Sequence, residues 1–319
     1  MNTAVLFIIF NRQDLACVVF EKIREAQPKR LYIAADGPRK DRTDEPEKCE
    51  LTRKSILDMI DWDCELKCKF EEQNFGCGLA ISSAIDWFFN FEEEGIILED
   101  DCLPNSTFFR FCEEMLSLYR TNKRVRMITG TNFRVSDVAT NTYSFSSCFS
   151  IWGWATWRHE WNLYDKTMKS WKQTREDGSF QDLFSDRRIY RYWRSIFDKV
   201  YDGEIDTWAY QWVYTCLITK GLSIVPSMNL ISNLGFREDA THTRSKKSPR
   251  AALKTTELVF PLLHPCEVKE DKAMDEFIYK EIYKVFKKYS YRKQFKRHLK
   301  ILRCNVAAIL KSIANKVRS

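Results

Sequence analysis

The chain has 319 residues, of which 44% are hydrophobic and 30% are charged, a globular composition that excludes a disordered or low-complexity protein. No stretch approaches the ~18 consecutive apolar residues of a membrane-spanning helix. The formal net charge is +7, but residues 280–319 hold 13 basic residues and one acidic residue, which leaves −5 for residues 1–279. Because a nucleic-acid-binding core presents a basic face on its folded domain, this distribution argues against a nucleic-acid partner.

The first hundred residues alternate short apolar runs with helical patterns, which is typical of βαβ units. The apolar runs predict strands at 5–10, 31–35, 65–70 and 95–98. The helical patterns predict helices at 14–26 and 47–60, and a third from the loop 74–78 to about residue 91. Strands this apolar belong to a sheet covered on both faces, so we predict an α/β fold with a mostly parallel sheet flanked by helices.

Polar residues follow three of the predicted strands. They are residues 11–12 after the first strand, 36–38 after the second and 99–101 after the fourth. In open α/β sheets, ligands bind beyond the carboxyl ends of the strands. The sequence therefore predicts one ligand site where these three segments converge.

The segment 99–101 consists of three adjacent carboxylates, Glu99, Asp100 and Asp101. In extended backbone, Glu99 and Asp101 would point to one face and Asp100 to the other. Adjacent carboxylates repel one another unless a cation lies among them, and hard oxygen ligands suit Mg²⁺ or Mn²⁺. The alternative is an acidic turn that caps the next helix.

The second half of the chain is rich in tryptophan, since eight of the ten tryptophans lie between residues 152 and 212. Trp152 and Trp154 are separated by a single glycine, and indoles spaced in this way can form a wall for a sugar. A tryptophan cluster in the protein core is an equally weighted alternative. Three carboxylates at 202–206 precede a predicted helix start, where Asp206 could serve only as an N-cap.

The basic C-terminal segment has helical periodicity, with an apolar stripe formed by Phe295, Leu299, Leu302, Val306, Ile309 and Ile313. It predicts either a solvated terminal helix packed on its own domain or a helix on an anionic membrane surface. The N-terminus lacks a basic n-region and a cleavage site, and the 11 cysteines show no disulfide spacing. We therefore expect a cytoplasmic protein, with peripheral binding to the inner face of the cell membrane as the option that the tail allows.

The order of these motifs resembles a GT-A-fold glycosyltransferase. The resemblance lies in the segments 10–12, 36–39, 74–78 and 97–101, and covers roughly residues 1–242. The acidic triplet is similar to the variant DXD motif of inverting N-acetylglucosaminyltransferase-like and family 2-like nucleotide-diphospho-sugar transferases. The resemblance implies a GT-A (Rossmann-like) catalytic domain at 1–265, with a nucleotide-binding half at 1–105 and an acceptor-binding half at 150–245. Residues 266–319 would form a basic amphipathic helical tail.

The resemblance also implies roles for residues of the nucleotide-binding half. Asn11 and Arg12 would lie by the nucleotide, and Asp36 would approach the base or ribose. Gly76 belongs to the same site, although Gly76 and Gly78 would also suit a tight entry into a helix. Asp-Gly-Pro at 36–38 is an ordinary turn sequence on backbone grounds alone.

For the metal, the resemblance implies that Asp101 is the direct ligand of Mn²⁺ or Mg²⁺. Glu99 and Asp100 would lie nearer the ribose and the donor sugar. A late histidine completes the metal site or contacts the diphosphate in several such enzymes, and His242 matches by position. A lone histidine in a loop is more often simply solvated.

For the acceptor half, the resemblance implies that Asp206 is the catalytic base, with Glu204 second. Trp152, Trp154 and Trp208 are the expected acceptor-binding residues. The expected donor is a nucleotide sugar, with a UDP-sugar preferred, and the expected acceptor is a glycan or glycolipid, as in polysaccharide biosynthesis.

The expected reaction is therefore metal-dependent, inverting transfer of a sugar to an acceptor hydroxyl. One alternative is a sugar nucleotidyltransferase, but the segment 10–14 lacks the glycine-rich loop that such enzymes carry after the first strand. Another is a catalytically silent sugar-binding or membrane-docking protein on the same scaffold.

Overall fold

The fold is described from a computed structural model, which describes residues 1–134, 141–236, 250–251 and 253–286. It divides into two units, Met1–Tyr283 and Lys284–Ser319. The first unit therefore extends beyond residue 265, where the sequence places the start of the tail. The stripe predicted at 295–313 lies outside the described residues, and the account below concerns the first unit.

Eight strands form one sheet in the order β3-β2-β1-β4-β8-β6-β9-β7, and β5 pairs with β10 in a second, two-stranded sheet. The strands are β1 (Ala4–Ile9), β2 (Arg30–Ala35), β3 (Glu65–Phe70), β4 (Glu94–Glu99), β5 (Cys102–Pro104), β6 (Val125–Thr129), β7 (Tyr143–Ser146), β8 (Trp154–Trp157), β9 (Leu222–Pro226) and β10 (Ile231–Asn233).

The helices are α1 (Gln13–Ala26), α2 (Glu45–Asp58), α3 (Gly76–Phe91), α4 (Thr107–Tyr119), α5 (Arg158–Trp161), α6 (Trp171–Glu176), α7 (Arg187–Tyr201), α8 (Ala209–Ile218) and α9 (Lys272–Phe277). A 3₁₀ turn lies at Gln181–Leu183, and a π-helical turn at Ile278–Ile282 follows α9. Within the described residues, no helix is both long and apolar enough to span a bilayer.

The N-terminal half of the sheet is parallel, as predicted. β1 lies between β2 and β4, with Ile9 opposite Ala35 and Ile8 opposite Glu99. All six residues of β1 are buried, because helices cover both faces of the strand. This register brings the carboxyl ends of three neighbouring strands to one edge of the sheet.

The whole sheet is mixed, because the C-terminal half adds antiparallel strands. β8 pairs antiparallel with both β4 and β6, and β7 pairs antiparallel with β9, whereas β6 and β9 are parallel. The α/β class is confirmed, and the mostly parallel arrangement describes the strands β1 to β4.

Candidate functional site

The site begins where β1, β2 and β4 end. Arg12 follows β1, Asp36 follows β2, and Glu99 is the last residue of β4. Since these strands are parallel neighbours, their final residues lie side by side. The predicted convergence of the three polar segments is confirmed.

The Arg12 guanidinium joins two carboxylates of the acidic triplet. Its Nε donates to Asp100 Oδ2 at 3.2 Å, its Nη2 donates to Asp100 Oδ1, and Nη2 also lies 3.1 Å from Asp101 Oδ2. β4 ends at Glu99 and the chain turns at Asp100 and Asp101, so the extended alternation expected for the triplet does not continue through it. Asp100 and Asp101 instead meet on one guanidinium.

The electrostatics of the triplet reflect an excess of negative charge. Burial raises the pKa of Glu99, and the charges of Asp101 and Asp100 raise it further, while Arg12 opposes the shift. Burial also raises the pKa of Asp100 against the lowering effect of Arg12. One guanidinium therefore does not neutralise three neighbouring carboxylates.

Asp36 holds the loop that leads into α3. Its carboxylate accepts hydrogen bonds from the backbone N–H of Phe75 at 2.9 Å, the backbone N–H of Gly76 at 3.2 Å and the Asn74 side-chain amide at 2.8 Å. Burial raises the pKa of Asp36 even though these backbone donors lower it. The carboxylate that the sequence assigns to the nucleotide thus also fixes the 74–76 loop.

Asp206 reaches the first turn of α3 from the connection between α7 and α8. Its Oδ1 accepts a hydrogen bond from the Gly78 N–H at 3.1 Å. A Cβ on Gly78 would lie 2.4 Å from that oxygen, and a Cβ on Gly76 would lie 2.8 Å from Oδ2. Gly76 also has φ +80°, so it serves both the backbone turn and the space for Asp206. Glu204 is exposed nearby on the same connection.

Cys77 marks where the carboxylates meet and was not singled out by the sequence. Burial raises the pKa of its thiol to about 12, together with the charges of Glu99, Asp206, Asp36 and Asp101. These four residues, which we call the carboxylate cluster, come from both halves of the chain. The sequence carries no local signal for this, because the four residues meet only in the folded sheet.

A second feature that the sequence missed is the segment 233–235, which lies against Asp101. The Asn233 amide lies 3.5 Å from Asp101 Oδ1, and the Leu234 N–H donates to the Asp101 carbonyl at 2.8 Å. A Cβ on Gly235 would lie 2.2 Å from Asp101 Oδ2, so only glycine fits there. His242, further along the same segment, lies outside the described residues.

The donor set at this edge suits a divalent cation that is bound together with a ligand. Mg²⁺ in nucleotide sites is usually held by one or two carboxylates plus substrate phosphates. Glu99 and Asp101 are hard oxygen donors with uncompensated charge, which fits that arrangement. In the described part of the chain, no three His, Cys, Asp or Glu side chains are grouped so that they could hold a metal ion unaided.

Asn11 lies on the outer side of Arg12. Its amide donates to Glu45 Oε1 at 2.9 Å, and the same carboxylate accepts from Arg39. Asn11 is half-buried, so part of its surface remains accessible to a ligand.

The three tryptophans expected to contact the acceptor occupy different environments. Trp154 is 0% exposed and stacks on Trp208, which is 2% exposed, with ring centroids 5.6 Å apart. Their burial corresponds to the core alternative, and neither ring face is open to an acceptor. Trp152 is half-buried, with edge contacts to Phe133 and Phe236.

Neither the protein-family models nor the curated proteins that were searched match this chain. Among solved structures, a mannosyltransferase from Pyrobaculum calidifontis in complex with GDP-Man and Mn²⁺ is 16% identical, with a TM-score of 0.34 over 50% of this chain and 46% of that one. The galactosyltransferase LgtC with donor and acceptor sugar analogues is 9% identical, with a TM-score of 0.37 over 88% and 96%. A UDP-glucose pyrophosphorylase complexed with UDP-glucose is 15% identical, with a TM-score of 0.26 over 47% and 64%. Likenesses this low do not assign the chain to a family.

Proposed function

We propose that the protein is a glycosyltransferase that moves a sugar from a nucleotide-diphosphate sugar to an acceptor hydroxyl, with a divalent cation and with inversion. The observation that carries the proposal is the carboxylate cluster. It places an exposed carboxylate, Asp206, beside buried acidic groups at the carboxyl edge of the sheet, where α/β proteins bind ligands.

The donor's diphosphate would bind at Arg12. The side chain of Arg12 is 23% exposed, so part of it remains accessible beside Asp101. A planar guanidinium suits phosphate oxygens because it offers parallel donors. Asn11 and the 74–76 loop held by Asp36 would border the nucleoside, which we take to be uridine.

Mn²⁺ or Mg²⁺ would be held by Asp101, with Glu99 beside it. When bound, the cation supplies positive charge against the departing diphosphate. Asp100 would not be a ligand, because its carboxylate is committed to Arg12 in a buried pair. Its part is to hold the guanidinium at the edge of the site.

Asp206 would act as the general base. The Gly78 N–H fixes its Oδ1, which leaves Oδ2 as the oxygen that can take a proton. As the acceptor oxygen forms its bond to the anomeric carbon, its proton passes to Asp206 and the nucleoside diphosphate leaves from the opposite face. Attack opposite to the leaving group accounts for inversion.

The acceptor would be a glycan or glycolipid, approached from the side of Trp152 and Glu204. Trp154 and Trp208 are not included, because their rings are buried. Binding of the segment 280–319 to an anionic membrane surface, and a location at the inner face of the cell membrane, remain part of the proposal.

The proposal is tested with a panel of nucleotide sugars and oligosaccharide or glycolipid acceptors in Mn²⁺. We expect acceptor-dependent release of nucleoside diphosphate, and a loss of about 1,000-fold in Asp101→Asn, since cation stabilisation of the leaving group is worth several kcal/mol. Glu114→Gln, an exposed acidic residue on α4, is the matched control and should retain full activity.

Other products would contradict the proposal. Formation of a nucleotide sugar from a nucleoside triphosphate and a sugar phosphate, with release of pyrophosphate, would indicate a nucleotidyltransferase. Binding of glycans without any binding of nucleotide sugars in Mn²⁺ would indicate a silent sugar-binding protein.

A further inference from the structure

The Arg12 guanidinium has two partners that differ in burial. The side chain of Asp100 is 4% exposed and takes two donors from Arg12. The side chain of Asp101 is 16% exposed and meets only Nη2, the nitrogen that Asp100 already shares. The contact with Asp100 is therefore the structural one, and the contact with Asp101 is the one that can exchange.

The contact with Asp101 sets Arg12 against a divalent cation. A cation on Asp101 would share its carboxylate with a guanidinium 3.1 Å away, and like charges at such short range repel strongly. A diphosphate without a cation would meet three carboxylates and one guanidinium, an excess of negative charge. Each ligand alone is therefore opposed by charges that the other would offset.

We propose that Arg12 competes with the divalent cation for Asp101, and that the diphosphate of the donor draws Arg12 away, so that donor and cation bind with positive coupling. This inference rests on the proposed function, because it assigns a binding order to the same site. The anchor to Asp100 keeps Arg12 at the edge of the site in both states. Linkage requires the coupling to be reciprocal, so the cation must strengthen donor binding by the same factor.

The test measures Mn²⁺ binding by calorimetry and by electron paramagnetic resonance, without and with saturating UDP, after subtraction of the Mn²⁺ that UDP binds by itself. In the unsubstituted protein we expect UDP to strengthen Mn²⁺ binding by about tenfold or more. Arg12→Gln should bind Mn²⁺ alone about tenfold more tightly and lose most of the coupling, because the competing charge is gone. Arg12→Lys keeps the charge and should remain close to the unsubstituted protein.

Two controls isolate the effect. Asp101→Asn should abolish Mn²⁺ binding in either background. Arg24→Gln removes a guanidinium from the same helix, α1, where it pairs with Asp61 on the surface, and should leave Mn²⁺ binding unchanged. If Arg12→Gln does not fold because Asp100 loses its partner, the double variant Arg12→Gln/Asp100→Asn removes both charges of the buried pair and takes its place.

The failures are distinguishable. Equal or weaker Mn²⁺ binding in Arg12→Gln, with sugar transfer intact in the unsubstituted protein, would overturn the competition and leave the proposed function standing. Equal Mn²⁺ affinity with and without UDP would also overturn it. An absence of Mn²⁺ binding under every condition would overturn both the competition and the proposed cation site.

Discussion

The two halves of the first unit contribute to the site in different ways. Arg12, Asp36 and Asp100 follow strand ends and are held by hydrogen bonds or ion pairs to neighbouring elements. Asp206 and Glu204 are exposed residues on a connection between two helices, α7 and α8, which pack on the tryptophan-rich core.

This difference separates stability from chemistry. Groups at the strand ends support the surrounding loops, so replacing them should lower the stability of the protein as well as its activity. The exposed carboxylates contact little else, so replacing them should change catalysis alone. The predictions below test this separation.

The largest effect is expected for Asp206→Asn. The amide oxygen can still accept from the Gly78 N–H, so the fold should be kept, but the group can no longer take a proton. We expect kcat to fall by about 100- to 10,000-fold, the range of general-base contributions, with little change in Tm. Steady-state kinetics and thermal unfolding of the same preparation provide the check.

Glu204→Gln is the matched control for that substitution. Glu204 is exposed and lies on the same connection, so it should retain at least about half of the activity. If Glu204→Gln lost the activity and Asp206→Asn kept it, the base would be Glu204. A marked fall in the Tm of Asp206→Asn would contradict the separation of stability from chemistry in the second half.

The second prediction concerns the tryptophan core. Trp154 is fully buried against Trp208 and Trp212, so Trp154→Ala should lower the free energy of unfolding by about 3–5 kcal/mol. Trp152→Ala, at a half-buried indole, should cost clearly less stability. Urea denaturation measures both, and a larger loss in Trp152→Ala would place the core of this region elsewhere.

The third prediction tests Asp36 as the support of the 74–76 loop. Asp36→Asn keeps the side-chain shape but weakens the bonds from the backbone N–H groups of Phe75 and Gly76, so we expect a loss of about 1–3 kcal/mol in stability. KM for the nucleotide sugar should rise as well. Hydrogen exchange at Phe75 and Gly76 would report the loop directly, and unchanged exchange there would contradict this role.

The sequence predicts the N-terminal half of the fold closely. β3 has the predicted bounds, and β1, β2 and β4 differ from them by one residue at each affected end. This agreement arises because apolar strands alternating with amphipathic helices are local patterns. The position of β8 between β4 and β6 has no such local signal, because antiparallel pairing joins residues far apart in the chain.

The same limit applies to the site. The repulsion within 99–101 indicates that a cation must lie nearby, and the structure places the Arg12 guanidinium there. The spacing of the motifs contains no sign that Asp100 would be its main partner. Likewise, Cys77 and Gly235 become part of the site only through tertiary contacts with residues of distant segments.

The smallest expected effect is a pH dependence that sets Asp100 and Asp275 apart. Both carboxylates are buried, but Asp100 has an arginine, whereas Asp275 accepts from the hydroxyls of Ser146 and Ser147. Burial raises the pKa of Asp275 to about 7, and a hydrogen bond with Glu270 raises it further. Cys148 and Tyr279 also face this group.

A pKa raised in the folded state means that the folded protein binds the proton more tightly than the unfolded chain. Asp275 therefore stabilises the fold below about pH 4, and this contribution is lost progressively as the pH rises towards about 7. Asp275→Asn removes the titration, so its Tm relative to the unsubstituted protein should rise by a few degrees between about pH 5 and pH 8. Thermal unfolding across this range measures the change, with the exposed Asp182→Asn as the matched control. A difference in Tm that stays constant with pH would mean that Asp275 is ionised throughout and that its hydroxyl donors stabilise the charge as well as an arginine would.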